Sequence, residues 1–170
     1  VADGASVFLE HRDGVFRYLC RMVGHAEDAR DLTQEVFLRV ARAPARPEAP
    51  AERRAWVFHI ARNLALNHAR DGRRRPAEVA LEVDPAGRAT QETAAAVQQA
   101  LAALGDLDRD VFLLRESAGL SYDEIARACE ISPDAVRSRL HRARQMLRAA
   151  LSSPIGEQIA RGIRWKDSRS

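Results

Sequence analysis

Residues 119–148 read GLSYDEIARACEISPDAVRSRLHRARQMLR. Two local start signals divide this stretch. Ser121 with Glu124 three residues on forms S-x-x-E, a capping box, and acids at Asp123 and Glu124 suit the positive end of a helix dipole. Ser132 is a second N-cap, and Pro133 fits the first helical position because its missing N–H would have been unpaired there anyway. Only a few residues around Glu130 and Ile131 separate the two helices, so the pair reads as a helix-turn-helix.

The second helix has two faces. Val136, Leu140, Ala143, Leu147 and Ala150 follow the helical apolar period. Asp134, Ser138, His141 and Gln145 lie opposite, flanked by Arg137, Arg142 and Arg148. Charge separates along the chain as well. Residues 98–134 carry three arginines against eight acids, whereas residues 135–151 carry five arginines and no acid. A basic helix beside an acidic remainder points to phosphate, and so to a duplex. A solvated amphipathic helix, or one for calmodulin or a membrane surface, is the competing reading.

Working outward, the helical pattern persists and alternating strand patterns are absent, so the fold class expected is all-α. The chain has 170 residues, enough for one domain or two small ones. Its 46% hydrophobic and 5% aromatic content suits small bundles packed with Leu, Val and Ala. Helices are expected at 5–23, 26–42, 52–70, 93–104 and 108–117, with Gly24 and Gly119 closing two of them. The first carries Val7, Phe8, Val15, Tyr18, Leu19 and Met22 on its apolar face. Pro44, Pro47 and Pro50 make 43–51 an extended loop. Residues 76–92 are polar and aperiodic, with Pro85 and Gly87, and read as a linker. Two helical domains follow, 1–72 and 94–151, joined by 73–93. The tail at 152–170 is separate, with Ile155, Ile159 and Ile163 forming either a short docking stripe or no structure at all.

Several function classes drop out. Cys20 and Cys129 lie far apart on apolar helical positions, with no C-x-x-C, so both read as small buried hydrophobes in a reducing compartment. The five histidines show no carboxylate or cysteine pattern at metal spacing, and no Gly-rich phosphate loop is present. No catalytic residue, metal or cofactor is therefore expected, and the chain is read as no enzyme. The absence of a long apolar run and of a signal peptide predicts a cytoplasmic protein.

Two strips in the first domain carry further information. Asp31, Gln34, Glu35 and Leu38 share one side of the second helix, opposite Leu32, Val36 and Val40, and a leucine inside an acidic strip suggests a protein interface. Asn63 and Asn67 lie one turn apart on the third helix, and their amides can both donate to and accept from base edges. Trp56 and Phe58 are suited to the core or to stacking on an unpaired base.

Three motifs in order, DARDLTQEVFLRV (28–40), AWVFHIARNLALNHAR (55–70) and the run from Ala100 to Arg148, resemble those of an extracytoplasmic-function sigma factor. The resemblance covers about Phe16 to Leu151 and implies a promoter-specificity subunit of bacterial RNA polymerase. It implies that Asp31, Gln34, Glu35 and Leu38 bind core polymerase at its clamp, and that the polymerase flap is a further contact region. It implies that Trp56, Asn63, Asn67 and Arg70 act at the minus-ten element, and that Arg73, Arg74 and Arg75 contact phosphates. Asp134, Ala135, Arg137, Ser138, His141 and Arg142 would read the minus-thirty-five element. An anti-sigma factor is the further partner implied. A stand-alone helix-turn-helix regulator is the alternative; it leaves the strip from Asp31 to Leu38 unexplained.

The chain departs from the family pattern at two DNA-side positions. Glu130 stands where the family often has Gly; a non-Gly residue in a left-handed conformation costs about 1–2 kcal/mol, so a different turn is expected. Asp134 also replaces a frequent Gly; an acid there repels phosphate but can accept from cytosine. The proline-rich loop at 43–51 leaves the captured minus-ten base open.

Overall fold

The computed structural model describes residues 4–71 and 91–151. Every regular element among them is a helix. The first domain holds α1 (Gly4–Val23), α2 (Ala26–Arg42) and α3 (Pro50–Arg70). The second holds α4 (Gln91–Ala102), α5 (Asp106–Glu116), α6 (Tyr122–Cys129) and α7 (Pro133–Ala150).

In the first domain α1, α2 and α3 pack on one another, burying Val7, Val15, Leu19, Val36, Val40, Val57 and Ala61 completely. The apolar period of α1 was legible, with one exception: Phe8 sits at the rim, 36% exposed, its ring edge-on to Phe37 at 4.9 Å. The third helix starts two residues earlier than expected, at Pro50 rather than Glu52. Proline occupies its first position, where no N–H is needed, so the loop's last proline serves as a helix start. Arginines meet carbonyls at the end of α2 and in the loop. Arg46 donates to the carbonyls of Val40 and Ala41, both at 2.9 Å, which also completes the end of α2, and Arg53 donates to Glu48 at 2.8 Å.

In the second domain α4 begins at Gln91 and α5 at Asp106, each two residues before the expected start. Residues Val111, Leu113, Leu114, Leu120, Ile125, Val136 and Leu140 form the centre of this core, each no more than 1% exposed. Gly119, at φ 67°, closes the chain after α5 while Leu120 N–H bonds back to Leu114. The capping box is present in full: Glu124 N–H donates to Ser121 Oγ at 3.2 Å, and Ser121 N–H donates to Glu124 Oε2 at 2.7 Å. Ser132 likewise accepts from Ala135 N–H at 3.1 Å.

The turn between α6 and α7 corrects the expectation of an altered shape. Glu130 adopts the left-handed conformation, φ 57° and ψ 43°, and Ile131 N–H bonds Ala126 at 3.0 Å. The closing hydrogen bonds and the burial on both sides hold a residue that glycine would fit more easily. Glu130→Gly is therefore expected to raise stability by about 1 kcal/mol in denaturant titration, since a left-handed non-Gly residue costs about 1–2 kcal/mol.

Two smaller corrections follow from packing. Ala150 is exposed, and the buried residue at the end of α7 is Leu151, because the helix stops there and its last side chain turns inward. Cys129 is buried as expected, with burial pushing its thiol up to about 12, while Cys20 is only half-buried.

The two domains touch. The densest inter-domain contact sets α3 against α6, with α1 against α5 beside it.

Candidate nucleic-acid interface

The caps and the turn place α7 so that its apolar stripe enters the core and its opposite side faces outward. Asp134, Arg137, Ser138, His141, Arg142 and Gln145 are all exposed, and Ala135 is half-buried. The expected reading face is therefore continuous along the first half of the helix. Its arginines are not equivalent. Arg137 Nη1 donates to Asp134 Oδ1 at 2.8 Å, so the acid that replaces a frequent glycine neutralises its own neighbour. Arg139 and Arg142 donate to the two carboxylate oxygens of the buried Asp108, at 2.7 and 3.4 Å. Arg144 pairs with Glu116 at 2.8 Å, its side chain 25% exposed. Of the five arginines in 135–151, three are thus committed to acids of α5, which explains how an acidic stretch and a basic helix coexist in one domain. Arg142, whose side chain is still 58% exposed, keeps further donors facing solvent.

On α3, Asn67 and Arg70 are exposed, whereas Trp56 and Asn63 are half-buried. Asn63 does not present a free amide. Its Nδ2 donates to His59 Nε2 at 2.9 Å, which leaves the His59 Nδ1–H to donate to the carbonyl of Ala128 in the other domain at 3.0 Å. A cavity of about 240 Å³ lies beside this chain of bonds, lined by Trp56, His59, Arg127 and Glu130. The structure therefore keeps the four expected minus-ten residues on one helix but divides them between the domain junction and solvent. Phe58 belongs wholly to the core, 1% exposed. Arg73, Arg74 and Arg75, the linker and the tail lie outside the described residues.

On α2, Asp31, Gln34 and Leu38 are exposed, and Glu35 is half-buried in an ion pair with Arg39 at 2.7 Å. Gln34 and Leu38 border a groove of about 700 Å³ between α1 and α2, floored by Phe8, Phe16 and Phe37. Sequence reasoning missed this groove because Phe8 was assigned to the core. Its signal was an apolar stripe on α1 wider than the contacts with two neighbouring helices require.

Sequence reasoning also missed Asp110. This carboxylate is completely buried. Arg62 Nε of α3 donates to its Oδ2 at 2.8 Å, and the Tyr18 hydroxyl of α1 reaches its Oδ1 at 3.5 Å. Burial raises the Asp110 carboxyl above its ordinary range against the pull of Arg62, and burial likewise raises Tyr18, which stays protonated as a donor. Asp110 falls on the same helical stripe as Leu113 and Leu114, and an acid on an apolar stripe was the available clue.

Among the described residues no group of three or more His, Cys, Asp or Glu could hold a metal ion, and no helix is long and apolar enough to cross a membrane.

The comparisons with known proteins agree with this anatomy. The family model for sigma-70 region 2 matches residues 7–75, and that for sigma-70 region 4 matches residues 94–147. The ECF RNA polymerase sigma factor SigE of Mycolicibacterium smegmatis is 35% identical over 158 residues, covering 87% of this chain and 61% of that protein. The ECF RNA polymerase sigma factor SigL of Mycobacterium tuberculosis is 33% identical over 161 residues, covering 86% of this chain and 87% of SigL. In fold, the chain is similar to the sigma factor RpoE of Bartonella quintana, solved in complex with the anti-sigma factor NepR, with a TM-score of 0.72 over 86% of this chain and 95% of that one, at 22% identity. The chain belongs to the ECF family of RNA polymerase sigma factors. It spans about three fifths of SigE, so SigE carries length that this chain does not match.

Proposed function

We propose that this chain binds core RNA polymerase, carries it to a particular set of promoters and helps to open the minus-ten region there. The observation that carries this reading is the outward face of α7, from Asp134 to Arg142, presented by two intact N-caps in a domain that the region 4 model matches. The division of labour we assign is 1–72 for polymerase and minus-ten binding, 73–93 as linker, and 94–151 for minus-thirty-five binding. Asp31, Gln34, Glu35 and Leu38 meet the polymerase clamp, and the groove behind Gln34 and Leu38 extends that surface. Trp56, Asn63, Asn67 and Arg70 act on the minus-ten strand, with phosphate contacts from Arg73 to Arg75. An anti-sigma factor is the remaining partner; the fold shared with a sigma factor held by NepR supports it.

No bond is made or broken by the chain in this reading. Extruding a base costs a few kcal/mol, and contacts to the extruded base and its phosphates offset that cost. The place of work is the cytoplasm, where promoter and polymerase are.

Transcription in vitro with core polymerase on fragmented genomic DNA, followed by start-site mapping, tests the proposal; a set of starts sharing two spaced elements is the expected result. Tight duplex binding by the chain alone, with no gain from core polymerase, contradicts it. Within the recognition helix, Arg142→Ala is expected to weaken minus-thirty-five binding by about 1–3 kcal/mol, the worth of a bidentate base contact. Titration against the cognate element and a scrambled one checks this, and an equal loss on both reduces Arg142 to a phosphate contact.

A further inference from the structure

Asp108 lies in the first turn of α5, where an acid suits the helix dipole, yet its side chain is withdrawn from water, 8% exposed. Arg139 of α7 donates from Nη1 to its Oδ1 at 2.7 Å, and Arg142 donates from Nη1 to its Oδ2 at 3.4 Å. The two arginines are three positions apart, so they share one side of α7 and reach the carboxylate together. The buried side chains of Val111, Val136, Leu140 and Ala143 pack where α5 meets α7, so the anchor cannot drift relative to the helix it holds.

A carboxylate taken out of water needs a cation, and the short bond from Arg139 meets that need. One negative charge does not require a second guanidinium. The contact with Arg142 therefore does something besides neutralising Asp108. It engages Nη1 of a side chain that is otherwise 58% exposed. Nε and Nη2 form the other edge of the planar fork, a pair of donors matched to O6 and N7 of guanine. Arg137 is the contrast. Its partner Asp134 is 90% exposed, and a pair that lies in solvent fixes neither side chain firmly.

We propose that Asp108 is a positioning residue for α7: it touches no base itself, and it holds Arg142 so that the Nε–Nη2 edge is presented to a guanine of the minus-thirty-five element. A long side chain loses rotamer freedom when it binds, and one already held by a buried anchor loses less. The same anchor keeps this cation from straying to neighbouring phosphates, contacts that every duplex offers alike. Asp108 therefore raises specificity more than affinity. The inference rests on the minus-thirty-five reading of α7; what it adds is the residue of α5 that aims Arg142 and the base it is aimed at.

The test is binding of holoenzyme to a promoter duplex obtained by start-site mapping, intact and with each minus-thirty-five guanine replaced in turn by 7-deazaguanine, which lacks the N7 acceptor. Wild type is expected to lose about tenfold at one guanine, within the worth of a bidentate contact. Asp108→Asn keeps the shape and still accepts from Arg139 but gives up the charge, and its loss at that guanine is expected to shrink to about twofold as Arg142 loses its orientation. Its affinity for a scrambled duplex is expected to equal or exceed that of wild type, because the released guanidinium reaches phosphate. A merely structural role would weaken both duplexes alike, and that result overturns the proposal. In an Arg142→Ala background, Asp108→Asn should alter the guanine discrimination no further, since the residue it aims is gone. Should Asp108→Asn lose its cooperative melting, Arg139→Gln carries the test. Asp108 then still holds Arg142, and discrimination of about tenfold is expected to persist; its collapse counts against the proposal. Full discrimination in a folded Asp108→Asn also overturns the proposal and leaves the minus-thirty-five reading standing. Wild-type holoenzyme that is indifferent to every guanine and binds the scrambled duplex as tightly sinks the minus-thirty-five reading, and the proposal with it.

Discussion

Leu140→Ala is expected to lower stability by about 2–5 kcal/mol and to abolish minus-thirty-five recognition. Leu140 is 1% exposed, at the centre of the face that α7 turns toward α5 and α6. Truncation removes its transfer free energy and leaves a cavity that three short helices cannot close, which sets the magnitude. The loss falls on one domain. Val57, Phe58 and Ala61 belong to the first domain, so α1 to α3 keep their own core. Hydrogen exchange resolves the outcome: protection is lost across α5 to α7 and kept in α1 to α3. Wild-type protection throughout would show that Leu140 does not carry the second core.

Loss of polymerase assembly is the second large effect expected, from the α2 strip. Asp31, Gln34 and Leu38 are exposed, and neither polar side chain supports the core, so Asp31→Ala with Gln34→Ala should leave the melting temperature nearly unchanged. A strip that centres an interface contains anchors worth at least about 2 kcal/mol each, so assembly should weaken by at least about thirtyfold. Leu38→Asp is expected to do the same alone, because it places an unpaired charge where the 39% exposed leucine would be covered. Gel filtration with core polymerase reads the result, and normal co-elution of the double variant refutes the clamp assignment.

The exposed side of α2 and the outward face of α7 were legible in the sequence because both are matters of local period. A helix repeats every 3.6 residues, so Asp31, Gln34 and Leu38 had to share one side, and Ser138 and His141 had to oppose Val136 and Leu140. Caps are equally local: Ser121 and Ser132 each find their partner three residues on. Errors gathered where period alone does not decide. Phe8 fits the apolar stripe of α1, yet among the described residues no third helix covers it, and Ala150 continues the stripe of α7 past the point where Leu151 ends the core. At Glu130 the sequence showed the cost of the left-handed conformation but not the surrounding bonds that hold it.

By itself, the sequence determined the helices, their caps, the face of α7 that meets solvent, and the family through three motifs in order. Only the tertiary structure decided which charges remain open to solvent and which are spent within the chain. Arg62 and Asp110 stand 48 positions apart, as do no residues of a single helix, and His59 meets Ala128 across 69. Such pairs have no period to betray them. They arise because a carboxylate withdrawn from water needs a cation and donors, and folding supplies them from whichever segment lies opposite.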